Sequence, residues 1–236
     1  MSVDYNGPDA TKVKSMFKEI ASRYDKANDY LSFGIHHLWR KKVVKWSGAS
    51  VGNSVLDCAT GTGDLAIEFK KVVKAGKVVG TDFCAEMLEP APQKASAKGY
   101  DIQFSVADVM DLPFEDKSFD ITSIAFGIRN VQDPKKGLSE LARVTRPGGC
   151  VMVLEFGQPN LPIFSQAFNL YSKYVLPKVG GLITGKPQAY SYLEDSSSNF
   201  PCRKDFVALA LSTNAFHKVD FVSLSGGIAY IYKCYI

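Results

Sequence analysis

Apolar positions near the start of the chain recur at helical spacing. Val13, Met16, Phe17 and Ile20 share one face, with lysines between them, and Leu38, Val43, Val44 and Trp46 follow in a more basic stretch. Residues 12–46 are therefore expected to be helical. The rhythm then changes. Short apolar runs at Asn53–Cys58, Lys77–Asp82, Ile102–Val106, Phe119–Ile124 and Cys150–Glu155 read as strands, and Leu65–Val73, Ala85–Lys98 and Pro134–Val144 read as helices between them. Strand and helix alternate at about the spacing of βαβ units, which predicts an α/β fold with a parallel sheet covered on both faces. Residues 156–200 break the alternation: Ile163, Phe164, Ala167, Leu170, Tyr171, Tyr174 and Val175 return to helical spacing. A helix near Lys204–Asn214 and two strands near Val219–Leu224 and Ile228–Tyr235 close the chain. The short link through Gly226-Gly227 makes those two strands antiparallel.

Composition narrows the class. A chain of 236 residues, 46% apolar with mean hydropathy −0.05, can bury one large core. Its net charge of +4 is too small to imply nucleic acid on its own, and no nucleic-acid partner is expected. The five cysteines are odd in number and contain no CxxC, which argues against a disulfide framework or a zinc site and fits a reducing compartment. His36, His37 and His217 form no metal-ligand pattern by spacing, so no metal is expected. Residues 1–11 are polar and read as no secretory signal, and no run of about 18 apolar residues exists to span a bilayer. A cytoplasmic protein is expected.

Candidate chemistry lies at the strand ends. Asp57 precedes the loop Ala59-Thr60-Gly61-Thr62-Gly63, where glycines allow a sharp turn and close approach of a ligand. Asp82, with Phe83 after it, follows Gly63 by nineteen residues, and a carboxylate there can accept both hydroxyls of a ribose. Gly61 to Ala66 formally fits a dinucleotide fingerprint, so an NAD-dependent oxidoreductase is the rival enzyme. Asp57 separates the two readings: it suits an ammonium and repels a pyrophosphate. Asp108 and the N–H of Val109 are placed to read an adenine.

These stretches, with Phe119-Asp120 and Arg146-Pro147-Gly148-Gly149, resemble the class I S-adenosylmethionine-dependent methyltransferases. The resemblance implies a Rossmann-like, seven-stranded, mostly parallel sheet with an antiparallel last strand. It implies one methyltransferase domain over residues 1–236, with a helical N-terminal extension over 1–50 and a helical, substrate-side insertion over 156–200, after strand five. It also implies S-adenosylmethionine as cofactor, held by Asp57, Ala59, Gly61, Thr62, Gly63, Asp82, Phe83, Asp108, Val109 and Ala125. The family usually has glycine where Ala59 stands, and Ala59 is expected to avoid a left-handed backbone.

Tyr24 to Trp39, Phe126-Gly127-Ile128-Arg129-Asn130-Val131, Arg143 to Phe156 and Tyr171 to Pro177 further resemble the UbiE-type quinone C-methyltransferases. Departures from that pattern are Ala27 for methionine, Ala125 for serine, Arg146 for lysine and Gly157 for serine. The resemblance implies methyl transfer to a ring carbon of a polyprenyl quinol, demethylmenaquinol ahead of a ubiquinone precursor. The alternative of another class is a quinone-binding carrier without chemistry. Arg129 and Asn130 would stabilise a phenolate, and His36 or Tyr24 would serve as base. Tyr24, Asn28, Phe126, Arg129, Phe168 and Tyr171 would contact substrate. Arg129 could instead pair with Glu155. An isoprenoid substrate implies peripheral membrane contact, for which Arg40, Lys41, Lys42, Lys45, Lys173 and Lys178 are the basic candidates. A homodimer is also expected.

Overall fold

The computed structural model describes Tyr5, residues 7–159, residues 165, 166 and 168, and residues 170–236. Ile163, Phe164 and Ala167 of the stretch with helical spacing lie outside the described residues. Seven strands form one sheet: β1 (Val55–Cys58), β2 (Val78–Asp82), β3 (Gln103–Val106), β4 (Phe119–Ala125), β5 (Thr145–Phe156), β6 (Lys218–Leu224) and β7 (Ala229–Tyr235). Their order is β3-β2-β1-β4-β5-β7-β6. Only β7 runs against its neighbours, pairing antiparallel with both β5 and β6. The order reverses between β1 and β4, which leaves a crevice at their carboxyl ends.

The helices are α1 (Ala10–Ile20), α2 (Tyr24–Ser32), α3 (Ile35–Ser47), α4 (Asp64–Val73), α5 (Ala85–Leu88), α6 (Ala91–Ser96), α7 (Pro134–Val144), α8 (Leu176–Thr184), α9 (Pro187–Asn199) and α10 (Lys204–Leu211). Two cores cover the two sheet faces. On one, Leu138 and Leu141 of α7 meet Phe206 and Leu209 of α10. On the other, Trp39 and Val43 of α3 meet Phe69 and Val73 of α4. β1 and β2 are buried at every position, as expected of strands covered on both sides.

Several boundaries differ from the sequence pattern for local reasons. The expected helix over 12–46 is three helices. Phe33 and Gly34 carry φ of 50° and 71°, which turns the chain between α2 and α3. The helix expected at Ala85–Lys98 breaks at Pro90, which has no N–H to continue it. β5 starts at Thr145 rather than Cys150. The Pro147-Gly148-Gly149 turn is absorbed into an irregular register between Phe119 and Ile121, where a Cβ on Gly149 would lie 2.4 Å from the Asp120 carbonyl oxygen. A third, smaller core was not legible in the sequence. It joins Ile20 and Ala27 of the N-terminal helices to Ala189 and Tyr190 of α9.

Ala59 corrects an expectation. Its φ is 49°, in the left-handed region that it was expected to avoid. That conformation costs an alanine about 1–2 kcal/mol relative to glycine. The methyl group also dictates a neighbour, because a Cβ on Gly127 would lie 2.5 Å from the Ala59 Cβ. Gly127→Ala should therefore lower stability by about 1–3 kcal/mol through overpacking. Adding Ala59→Gly should recover most of that loss, as read by urea denaturation of the single and double variants. Equal stability of Gly127→Ala and the double variant would show that the contact does not limit packing.

Candidate active site

The loop after β1 and the end of β2 bring two carboxylates under the crevice. Asp57 is fully buried and accepts from Thr60 Oγ1 at 2.6 Å and Ser123 Oγ at 2.7 Å. Asp82 is buried and accepts from the backbone N–H of Gly61 and of Cys84, each at 2.9 Å. Among the described residues, no lysine or arginine forms an ion pair with either. Burial pushes both up to about 6. Two buried carboxylates without cations are costly in isolation, and they fit a ligand that offers an ammonium and ribose hydroxyls.

A cavity opens over them. Ala59, Gly61, Thr62 and Phe83 line it beside the two aspartates, Asp108 and Val109 close it from beyond β3, and Ala125 closes it from β4. Asp108 is fixed by its own turn, accepting from the Met110 N–H at 2.9 Å. Gly63 is placed differently. It does not line the cavity, and a Cβ there would meet the Phe104 ring at 3.0 Å and Ala91 at 3.2 Å, so it lets α4 pack closely.

The N-terminal helices reach this loop through a charge network that sequence spacing does not reveal. Thr62 Oγ1 donates to Asp25 at 2.7 Å, and Lys94 binds Asp25 at 2.8 Å and also Asp64. Arg40 pairs with Asp64 at 3.2 Å and is 9% exposed. Arg40 therefore leaves the set of cations expected to face lipid. Asp57, buried beside the loop and in no ion pair among the described residues, makes a setting hostile to the pyrophosphate of the rival dinucleotide.

A second cavity of about 530 Å³, walled mainly by apolar side chains, adjoins the first. Phe17, Tyr24, Arg40 and Phe126 line both. Asn28, His36, Arg129, Phe168 and Tyr171 line the second, whereas Asn130 faces the first. Tyr190, Tyr192, Trp39 and Phe156 also line it, and none was among the site residues expected from sequence. They come from α9, α3 and the end of β5, which only the fold brings together.

Arg129 is 3% exposed and held from three sides. Its Nη1 binds Glu155 at 2.7 Å and the Phe126 carbonyl at 2.6 Å, and its Nε donates to Ser196 Oγ at 3.3 Å. The pairing with Glu155 weighed from sequence is thus present, in a residue that also borders the cavity. Phe126 has φ 56°, a strained conformation for an aromatic residue at a strand end. Asn130 Oδ1 accepts from the Tyr192 hydroxyl at 2.9 Å.

Neither expected base is well suited to that role. The His36 ring has Nδ1 2.5 Å from Ser32 Oγ and Nε2 3.5 Å from Asp29. Burial, with help from Arg40, lowers it to about 4, so it is a weak proton acceptor. Burial raises Tyr24, with Asn28 and Arg129 opposing, so at neutral pH it is a phenol and a donor.

The fold and paired cavities are those of a class I S-adenosylmethionine-dependent methyltransferase. The neighbouring solved structures share that fold at low identity. A SAM-dependent methyltransferase from Aquifex aeolicus superposes with TM-score 0.58 at 21% identity, covering 83% of this chain and 88% of that one. One from Thermotoga maritima gives 0.65 at 17%, covering 94% and 98%. Residues 6–235 match the ubiE/COQ5 methyltransferase family, and the chain belongs to it. It is 60% identical over 228 residues to a Bdellovibrio bacteriovorus protein named ubiquinone/menaquinone biosynthesis C-methyltransferase UbiE, covering 97% of each. It is 38% identical to a Staphylococcus carnosus demethylmenaquinone methyltransferase, covering 98% of this chain and 95% of that one.

Asp57 and Asp82 carry a pH prediction. A carboxylate raised from 3.8 to about 6 destabilises the fold when ionised, and that cost is relieved as pH falls through the raised value. Binding of a cation at Asp57 runs the other way, because it needs the ionised form. Calorimetric affinity for S-adenosylmethionine should fall as pH drops below about 6. Asp57→Asn should bind weakly with a flatter profile. An affinity that rises on acidification would contradict the assignment.

Proposed function

We propose that this chain transfers a methyl group from S-adenosylmethionine to a ring carbon of a polyprenyl quinol, demethylmenaquinol being the favoured substrate. One observation carries the reading: the apolar cavity that joins the cofactor crevice at Tyr24 and Phe126 has the buried Arg129 in its wall. A ring with an isoprenoid tail is largely apolar and has one polar edge. The relatives named above support the substrate class.

S-adenosylmethionine, when bound, supplies an electrophilic methyl group. The protein holds the quinol carbon in line with it, which is largely a matter of positioning. Arg129 and Asn130 accommodate the ring oxygen as it gains negative charge. Burial raises the hydroxyls of Tyr5 and Tyr192 beside it, and the Arg129 charge opposes that rise at both. His36 and Tyr24 are poor acceptors, so the quinol proton leaves by way of water. Phe33 and Leu38 line the second cavity and are 88% and 61% exposed, which suits peripheral contact with a bilayer that holds the tail.

The experiment supplies labelled S-adenosylmethionine and reduced demethylmenaquinone in anionic vesicles, with the benzoquinol precursor in parallel. Label should enter the naphthoquinol faster, and the protein should sediment with the vesicles at low salt. Arg129→Lys should lower kcat and kcat/KM together while leaving cofactor affinity near normal. Arg129→Ala is a poorer probe, because a buried Glu155 left unpaired costs about 3–5 kcal/mol of stability. Full activity in Arg129→Lys, or faster transfer to the benzoquinol, would overturn the corresponding part of the proposal.

A further inference from the structure

The turn between α2 and α3 gathers three metal-ligating side chains outside the methyl-transfer site. Asp29, in the last turn of α2, meets His36 and His37 at the start of α3, and their ligand atoms all lie within 4.8 Å of one another. The rings of His36 and His37 have centroids 4.0 Å apart, so consecutive histidines converge rather than diverge. The left-handed pair Phe33-Gly34 folds the chain back and creates this convergence.

Hydrogen-bond geometry shows what the cluster lacks. The Ser32 hydroxyl has one proton and donates it to the Asn28 carbonyl at 2.7 Å. Ser32 Oγ must then accept from His36, which puts the imidazole proton on Nδ1. His36 Nε2 is left with a lone pair and lies 3.5 Å from Asp29 Oδ1. Two acceptors face each other, and a cation between them would satisfy both. A metal-bound histidine usually has its far ring nitrogen fixed by a hydrogen bond, and Ser32 supplies one here.

Spacing and charge agree. Tetrahedral ligands at metal distances of about 2.0–2.1 Å lie roughly 3.3 Å apart, close to the His36–Asp29 separation. His37 Nε2 now lies 2.8 Å from the same Asp29 oxygen and would need only a small outward shift. Asp25 and Asp64 nearby are taken up by Lys94 and Arg40, and Glu68 by Lys71. Among the described residues, Asp29 has no lysine or arginine partner. Its ion-pair partners among those residues are the two histidines.

We propose that Asp29, His36 and His37 form a binding site for a divalent transition metal of the kind imidazole favours, zinc being the working case, with water completing the coordination. The metal would clip the end of α2 to the start of α3. His36 also lines the second cavity, so the clip would brace that wall.

The test is calorimetric titration of tag-free protein with zinc chloride in a non-chelating buffer. The five cysteines are buried and do not compete in the folded protein. One equivalent should bind and raise the melting temperature. His37→Ala and Asp29→Asn both alter exposed side chains, and each should weaken binding about tenfold or more. His217→Ala, beside Tyr235, should bind normally. Absence of saturable binding, binding that survives either substitution, or equal loss in His217→Ala would overturn the site.

Discussion

The buried ion pair between Arg129 and Glu155 is the constraint around which the site is arranged. It ties the turn after β4 to the end of β5, at the point where the crevice opens. A guanidinium 3% exposed would be untenable alone, and Glu155, also buried, would be pushed further up without it. The same guanidinium holds the Phe126 carbonyl and Ser196 of α9, which keeps Phe126 in its strained conformation and docks the insertion. One interaction thus sets the sheet edge, the shared wall of both cavities and the position of a positive charge.

The cofactor side follows a complementary logic. Asp57 and Asp82 are buried without cations, whereas Asp25 and Asp64 just above them are neutralised by Lys94 and Arg40. The carboxylates at these two strand ends are left without an ion-pair partner among the described residues, available to a ligand. The network above them fastens the N-terminal helices to the cofactor loop, and the small core around Ile20 and Tyr190 fastens those helices to α9. The roof of the site is therefore built from the two ends of the chain's helical additions.

Much of this was legible in the sequence, because strand ends are marked by local chemistry. The run ending in Asp57, the glycine loop and the spacing to Asp82 depend on residues adjacent in sequence, and the structure places all of them around one cavity except Gly63. What was hidden depended on distant partners. Arg40 read as a candidate for lipid contact because its partner, Asp64, lies on another helix. Tyr190 and Tyr192 carried no periodic signal that pointed inward. His36 and His37 showed no ligand spacing because their third member lies in the preceding helix, across a left-handed turn. The room for the Ala59 methyl group was hidden too, because it is left by Gly127, which follows it by 68 positions in sequence.

A quinol offers two nucleophiles, its oxygen and the adjacent ring carbon. If Arg129 and Asn130 hold the oxygen, the carbon is the atom left to meet the methyl group. The most direct measurement is therefore the position of the new methyl in the product formed from reduced demethylmenaquinone and isotopically labelled S-adenosylmethionine, read by NMR. The account predicts an aryl methyl carbon and no methoxy signal. A labelled methoxy group, or no label in a protein shown to bind both ligands, would contradict it.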